Sequence, residues 1–185
     1  MIKKSHIITG NKGFVGKNLQ SFFELKKDTT LGISRNPSKD ELSYISLNNS
    51  IIDRYDSFVH LAGKAHDTKN TSNEHEYHKA NTDLTKNVFD IFLKSNCKVF
   101  IYMSSVKAAA DQPNQILREN VKPNPKTVYG KSKLMAESYI LDNLPKDKKV
   151  FILRPCMIHG AGNKGNLNLL HNFIAKGFPY PFGDF

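Results

Sequence analysis

The sequence predicts an α/β fold built on a doubly wound parallel sheet with helices on both faces. Short apolar runs rich in β-branched residues alternate with longer segments of helical periodicity, which is the pattern of strands joined by crossover helices. A glycine-rich turn joins the first apolar run to the first helical segment. With 185 residues, of which 39% are hydrophobic, the chain is long enough to bury one core. We therefore expect one domain over residues 1–160 and the beginning of a second portion over residues 161–185.

Secondary structure follows from the apolar pattern in chain order. The predicted strands are Ile7–Thr9, Leu31–Ser34, Ser57–Leu61, Lys98–Met103 and Val150–Leu153, with a weaker one near Tyr44–Leu47. Helical periodicity predicts helices over Phe14–Phe23, Glu74–Lys94 and Thr127–Asn143, and a further one over Gly165–Lys176. The segment Pro113–Pro125 is predicted to be a loop, because its prolines lack the backbone donor that regular structure needs.

Composition and charge argue against several classes of protein. The net charge of +10 comes mostly from scattered Lys residues, without an arginine-rich stripe or interleaved aromatic residues, so we expect no nucleic-acid partner. The sequence has no run of about 18 apolar residues and no signal peptide, so we expect a cytoplasmic protein without a membrane partner. Cys97 and Cys156 lie in apolar runs and are interpreted as buried thiols. No set of residues has convincing metal-ligand spacing.

The glycine-rich turn has the pattern of a dinucleotide-binding site. Gly10, Gly13 and Gly16 recur every three residues where the first strand passes into the first helix, which begins with Phe14 and Val15. Glycine at these positions permits a tight turn, allows a pyrophosphate to approach the backbone amides, and allows close packing of the helix on the sheet. The sequence therefore predicts a nicotinamide cofactor at this turn.

The residues after the second strand bear on the choice between NAD and NADP. An acidic residue at this place binds the adenosine ribose hydroxyls, whereas a basic residue accommodates a 2′-phosphate. The chain has Ser34 and Arg35 there, with no acid. Arg35 therefore favours NADP, and the alternative is a surface arginine in a protein that binds NAD.

A serine, a tyrosine and a lysine have the pattern of a hydride-transfer site. Tyr129 and Lys133 are four residues apart on one helix face, and Ser104 and Ser105 follow the strand that ends at Met103. Free tyrosine titrates near pH ~10, so its phenolate needs a neighbouring cation to act as acid and base at neutral pH. Lys133 would supply that charge, and Ser105 would orient the substrate oxygen.

Together these motifs resemble the extended short-chain dehydrogenase/reductases, the NAD-dependent epimerase/dehydratase family of nucleotide-sugar enzymes with a Rossmann fold. The matching segments are 9–16, 60–63, 81–82, 102–105, 129–133 and 153–160. The resemblance implies that Leu61, Ala62 and Gly63 pass beneath the cofactor, that Lys133 binds the nicotinamide ribose, and that Pro155 borders the nicotinamide. The full set of expected cofactor contacts is Gly10, Gly13, Phe14, Val15, Gly16, Arg35, Leu61, Ala62, Gly63, Asn81, Ser104, Tyr129, Lys133 and Pro155.

Departures from the family pattern narrow the expected reaction. The 4,6-dehydratases carry Asp-Glu after the hydroxyl residue, where this chain has Val106 and Lys107. Elimination of water would lack its acid and base, so the resemblance implies redox at C4 of a UDP-linked sugar. Epimerisation with a retained cofactor and reduction of a 4-keto sugar both stay open. The chain is also similar to enzymes that make N-acetylated 6-deoxyhexoses for surface polysaccharides, which implies that Lys107 and Asn166 contact the substrate.

Two further expectations concern the chain as a whole. The family has a C-terminal portion that forms most of the sugar pocket, so we expect residues 1–160 to bind NAD(P) and residues 161–185 to begin a truncated substrate-binding portion. Such a piece would bind cofactor but turn over substrate poorly. The family also implies a homodimer. The alternative to an enzyme is a non-catalytic dinucleotide-binding sensor or scaffold, which the intact Ser105, Tyr129 and Lys133 argue against.

Overall fold

The computed structural model describes residues 3–65, 73–112, 116–160, 162, 171 and 173–177. Within these ranges six parallel strands form one sheet in the order β3-β2-β1-β4-β5-β6. The strands are β1 Ser5–Thr9, β2 Thr29–Ser34, β3 Glu41–Ser43, β4 Ser57–His60, β5 Val99–Met103 and β6 Lys149–Leu153. The predicted doubly wound parallel sheet is thus confirmed. The strand order reverses between β1 and β4, where an open α/β sheet forms a crevice for ligands.

Helical segments connect the consecutive strands except β2 and β3. They are α1 Phe14–Leu25, α2 Asn49–Ile52, α3 Glu74–Tyr77, α4 Leu84–Leu93 and α5 Val128–Asp142, with a π-helical segment at His78–Asp83 and a 3₁₀ turn at Val106–Ala108. Two of the helices predicted from periodicity, Phe14–Phe23 and Thr127–Asn143, are present as α1 and α5, and the third, Glu74–Lys94, is divided into α3, the π segment and α4. The short α2 was missed because four residues are too few to show a period.

An aromatic cluster fills the core between the central strands and α4. The ring of Phe100 lies 5.4 Å from that of Phe58 and 5.0 Å from those of Phe89 and Phe92. All four side chains are fully buried. Strand β4 is buried along its whole length, including its polar residues Ser57 and His60, because both faces of the parallel sheet are covered.

Three sequence expectations require correction. The weak strand near Tyr44–Leu47 is wrong, because the strand is Glu41–Ser43 and the following residues turn, with the Ser46 amide donating to the Ser43 side chain at 3.2 Å. The single helix expected over Glu74–Lys94 contains the π segment. Cys97 is buried as expected, but Cys156 follows β6 and is exposed. The helix expected over residues 165–176 lies largely outside the described residues.

Candidate active site

A groove of about 1100 Å³ lies at the carboxyl edge of the central strands. Its walls come from the glycine turn, the end of β2, the loop after β4 and the beginning of α4. The lining includes Gly10, Asn11, Lys12, Gly13, Ser34, Arg35, Tyr44, Leu61, Ala62, Gly63, Lys79 and Ala80. This is the place where the reversal of strand order puts a ligand crevice.

The glycine turn closes against the loop after β4. Gly10 has a left-handed backbone with φ of 70°, and a Cβ at this position would lie 2.8 Å from the amide nitrogen of Ala62. The Gly13 amide donates to the Gly10 carbonyl at 2.9 Å, and α1 begins at the next residue. The first amides of α1 lack acceptors inside the helix and can therefore donate to the oxygens of a phosphate.

A buried chain of hydrogen bonds runs beneath the groove through His60. The Ala62 amide donates to Thr9 Oγ1 at 3.2 Å, and Thr9 Oγ1 lies 2.6 Å from His60 Nδ1. On the other side His60 Nε2 lies 3.0 Å from Thr85 Oγ1, which donates to the Asn81 carbonyl at 2.6 Å. Burial, together with the charge of Lys133, lowers the pKa of His60 to about 3. The imidazole is therefore neutral. When its proton is on Nε2, Thr9 donates to His60 Nδ1, His60 Nε2 donates to Thr85, and the hydrogen bonds run in one direction from the Ala62 amide to the Asn81 carbonyl.

Asn81 joins this chain to the loop that forms the floor of the groove. Its Oδ1 accepts from the Lys64 amide at 2.7 Å, and its Nδ2 donates to the Lys64 carbonyl at 3.0 Å and to Ser132 Oγ at 2.9 Å. A Cβ on Gly63 would lie 2.7 Å from Asn81 Oδ1 and 3.0 Å from Lys133 Nζ. A side chain at position 63 would therefore displace the side chains of Asn81 and Lys133 from their present contacts. The family resemblance predicts Asn81 as a cofactor contact. In the structure its side chain joins the backbone of Lys64 to Ser132 on α5.

Tyr129 lies at the beginning of α5, close to Ser105 at the end of β5. Burial raises the pKa of Tyr129 above its ordinary value, and a hydrogen-bonding interaction with Ser105 partly offsets the rise. The Tyr77 ring lies 6.4 Å from the Tyr129 ring. Ser105 also caps the 3₁₀ turn, since its Oγ accepts from the Lys107 amide at 3.2 Å. The structure thus brings the predicted hydroxyl and phenol together.

Lys133 lies one turn further along α5 and is almost completely buried. Its Nζ donates to the Met103 carbonyl at 2.8 Å and lies 4.9 Å from the centre of the Tyr102 ring. Burial lowers the pKa of Lys133 to about 8, against the opposing effect of Glu137. Among the described residues no hydrogen bond joins Lys133 to Tyr129. The charge pairing expected from their spacing is therefore not made in this arrangement.

Two carboxylates near the site were missed by sequence reasoning. Glu137 is 1% exposed, accepts from the Ser104 hydroxyl, and accepts from Arg154 Nε at 3.0 and 3.1 Å. The signal was its position one turn after Lys133 on the same helix face. Glu41 of β3 lies behind the glycine turn, and its contact with Lys12 at 2.8 Å depends on strand register, which the sequence does not display.

The remaining predicted site residues occupy the surroundings of the groove. Phe14 and Val15 form the first turn of α1, and the Pro155 carbonyl accepts from the Val106 amide at 3.1 Å. Lys107 is exposed in the 3₁₀ turn, and Arg35 is exposed directly after β2. Asn166 lies outside the described residues.

The described residues contain neither a metal-binding cluster nor a membrane-spanning helix. No group of three or more His, Cys, Asp or Glu side chains there is arranged to hold a metal ion. No helix in the same ranges is both long enough and apolar enough to cross a membrane.

Comparison with known proteins relates the chain to enzymes of one family. The model of the NAD dependent epimerase/dehydratase family matches residues 6–177. A UDP-glucose 4-epimerase of Vibrio cholerae is 32% identical over 97% of the chain and 60% of its own length. An N-acetyl-alpha-D-glucosaminyl-diphospho-ditrans,octacis-undecaprenol 4-epimerase of Escherichia coli O157:H7 is 32% identical over 66% of the chain and 37% of its own length.

A solved structure supports the same fold. The UDP-glucuronic acid 4-epimerase of Bacillus cereus in complex with NAD has a TM-score of 0.76 at 17% identity, over 95% of the chain and 64% of that protein. This likeness shows the fold alone. The chain spans about 60% of the length of the Vibrio cholerae relative.

Proposed function

Because the chain belongs to the NAD-dependent epimerase/dehydratase family, we propose that it is the cofactor-binding part of a UDP-sugar 4-epimerase. The observation that carries this proposal is the packing of the 3₁₀ turn that Ser105 caps against the beginning of α5, the helix that carries Tyr129 and Lys133. The groove along that edge has room for a dinucleotide. The 4-epimerases among the relatives favour epimerisation over reduction of a 4-keto sugar.

The residues that line the groove fit a nicotinamide dinucleotide. The space beside Gly10 would be filled by any Cβ at that position. The amides at the beginning of α1 can donate hydrogen bonds to a pyrophosphate. Leu61, Ala62 and Gly63 would lie beneath the cofactor, and Pro155 would border the nicotinamide. The bound cofactor supplies the acceptor and donor of hydride at the sugar C4.

The protein's own residues would handle the proton of the C4 hydroxyl. Ser105 orients that hydroxyl, and Tyr129 accepts its proton and later returns it. Burial raises the pKa of Tyr129, so the phenol is protonated at neutral pH until a cation approaches it. Lys133 carries that cation, and the loss of its Met103 contact would free the ammonium to turn toward the phenol.

The substrate side of the site completes the proposal. Lys107 and Asn166 contact the UDP-linked sugar, residues 161–185 begin the substrate-binding portion, and residues 1–160 hold the cofactor. Val106 and Lys107 stand where a dehydratase has its acid and base, so the reaction is redox at C4 without loss of water. We also propose a cytoplasmic homodimer acting in surface polysaccharide synthesis.

The test is interconversion of UDP-glucose and UDP-galactose, and of their N-acetylated forms, by the protein that carries this chain. Substrate and product are separated by chromatography, with NAD and then NADPH supplied. Interconversion without added reductant supports the epimerase. Consumption of NADPH only with a 4-keto sugar would instead identify the reductase, and binding of neither cofactor would contradict the site.

A further inference from the structure

A buried aromatic ring lies beneath the ammonium group of Lys133. We propose that Tyr102, on β5, is a positioning residue that keeps this ammonium charged and holds it at the carboxyl edge of the sheet, where it can stabilise the Tyr129 phenolate. The inference rests on the proposed function, because Lys133 is the cation of that mechanism. It gives a role to a side chain that acts only through Lys133.

Strand pairing and burial fix the position of this ring. Tyr102 lies opposite His60 in the parallel pairing of β4 with β5, and the two rings stack with 5.7 Å between their centres. The Tyr102 side chain is fully buried, so close packing leaves it little freedom to move. Burial raises the pKa of its phenol, which therefore stays protonated. The ring is thus a fixed, uncharged π surface.

Three groups enclose the Lys133 ammonium. Its Nζ lies over the Tyr102 ring, 4.9 Å from the ring centre, and donates to the Met103 carbonyl at 2.8 Å. A Cβ on Gly63 would lie 3.0 Å from the same nitrogen, so the loop after β4 closes a third side. Because Lys133 is only 4% exposed, its contact with the ring is worth more than such a contact at the surface. The ring thus replaces part of the hydration that the buried ammonium has lost.

The charged and titratable groups around Lys133 leave its charge sensitive to this contact. Burial lowers the pKa of Lys133 to about 8, and Glu137, one turn further along α5, opposes this effect. The Glu137 carboxylate is already paired with Arg154. Burial lowers the pKa of His60 to about 3 and raises that of Tyr129, so both are neutral at pH ~7. A modest loss of support would therefore leave much of Lys133 uncharged near neutral pH.

The test is a pH titration of Lys133 in the protein that carries this chain, followed by NMR of lysine labelled at Cε. Lys133→Met identifies the signal by its loss. Tyr102→Leu removes the ring and should lower the pKa of Lys133 from about 8 to about 7 or below, whereas Tyr102→Phe keeps the ring and should leave this pKa unchanged. The control is Phe100→Leu, which removes a fully buried ring two residues earlier on β5 and should cost stability without moving this pKa.

Fluorinated side chains keep the inference testable if Tyr102→Leu does not fold. Phenylalanine, trifluorophenylalanine and pentafluorophenylalanine, placed in turn at position 102, have nearly the same shape, but each addition of fluorine weakens the negative potential of the ring face. The pKa of Lys133 should fall stepwise along this series. A constant pKa along the series, or an equal fall in Phe100→Leu and Tyr102→Leu, would overturn the inference.

The pH dependence of turnover links the ring to the proposed reaction. Loss of the Lys133 proton removes the cation that the Tyr129 phenolate needs, so kcat for UDP-sugar interconversion should fall at alkaline pH. In Tyr102→Leu this fall should begin about one pH unit lower, and Tyr102→Phe should restore the wild-type profile. An unchanged profile in Tyr102→Leu would overturn the positioning role. Absence of interconversion by the wild-type protein would instead overturn the proposed function, and the NMR titration would still decide whether the ring supports the charge.

Discussion

The region around β1 and β4 and the region at β6 differ in how many polar groups are hydrogen-bonded and how much apolar surface is buried. Around β1 and β4 the strands are buried, and a continuous set of hydrogen bonds through His60 supports the floor of the groove. At β6 the side chains of Phe151 and Leu153 are 49% and 44% exposed. Nearby, Lys133 bonds to a backbone carbonyl instead of Tyr129. We call the region around β1 and β4 the dinucleotide side and the region around β6 and α5 the catalytic side, after their proposed roles. Internal hydrogen bonds organise the first, whereas the second exposes apolar side chains.

The largest expected effect lies on the catalytic side. Tyr129→Phe removes the hydroxyl that we propose exchanges the C4 proton, and in the protein that carries this chain it should lower kcat for the proposed epimerisation by roughly 10³-fold. Because the phenol is not part of the organised floor, NADH affinity should stay within about twofold of wild type. Chromatographic assay of UDP-sugar interconversion and fluorescence titration of NADH measure the two quantities.

Tyr139→Phe is the matched control for this substitution. Tyr139 lies on the same helix but donates to Asp90 at 2.5 Å, away from the groove. Its loss should leave the turnover number near wild type. An equal fall in both variants would show that Tyr129 acts on the stability of α5 and not on the proton.

The next largest effect lies on the dinucleotide side. Gly10→Ala forces a Cβ against the Ala62 amide and places alanine at φ of 70°. NADH affinity should fall on the order of 100-fold, since the turn must open. Calorimetric titration would measure the loss.

Gly177→Ala separates backbone strain from the close approach. Gly177 has φ of 76°, but no atom of the described residues lies within 4 Å of a Cβ built there. It should cost stability without changing NADH affinity. Unchanged NADH affinity in Gly10→Ala would mean that the glycine turn is less rigid than its hydrogen bonds indicate.

The buried Lys133 predicts a dependence of stability on pH. Burial holds its pKa at about 8 in the folded state, below the ordinary value of 10.5. The unfolded chain therefore binds more protons between these values, and stability should rise with pH across that window. Across this window Lys133 alone should raise the free energy of unfolding by about 3 kcal/mol. Urea unfolding of wild type and Lys133→Met at pH 7.5 to 10.5 should show a steeper rise in the wild type. Parallel curves would contradict this assignment of charge.

The smallest effect probes the link between the two sides. Thr85→Val removes the hydroxyl that joins His60 to the Asn81 carbonyl and should lower the free energy of unfolding by about 1 to 3 kcal/mol. Thr29→Val, at an exposed position at the beginning of β2, is the control and should change it by less than about 0.5 kcal/mol. Equal losses of unfolding free energy in the two variants would show that the hydrogen bond from His60 to Thr85 does not stabilise the floor of the groove.

The sequence predicted what depends on local pattern and missed what depends on register. Apolar runs located five strands, and glycine spacing located the turn at Gly10. The shift of β3 to Glu41–Ser43 escaped notice because side-chain hydrogen bonds of Ser43 and Ser46 compete with a strand at Tyr44. Glu41 escaped for a different reason. Its partners lie about 30 residues earlier in Asn11 and Lys12, and only the pairing of β2 with β3 brings them together.

The π segment at His78–Asp83 has a consequence for the two ends of its helix. One extra residue in a turn rotates every later side chain by about 100° around the helix axis. Asn81 and Thr82 thereby face α5, with Thr82 Oγ1 donating to the Ser132 carbonyl at 2.9 Å, while Phe89 and Phe92 still enter the core. Deleting a single residue here would make a regular helix whose two ends no longer fit their partners at once. The segment thus acts as a phase shift that lets one helix serve both the core and the site.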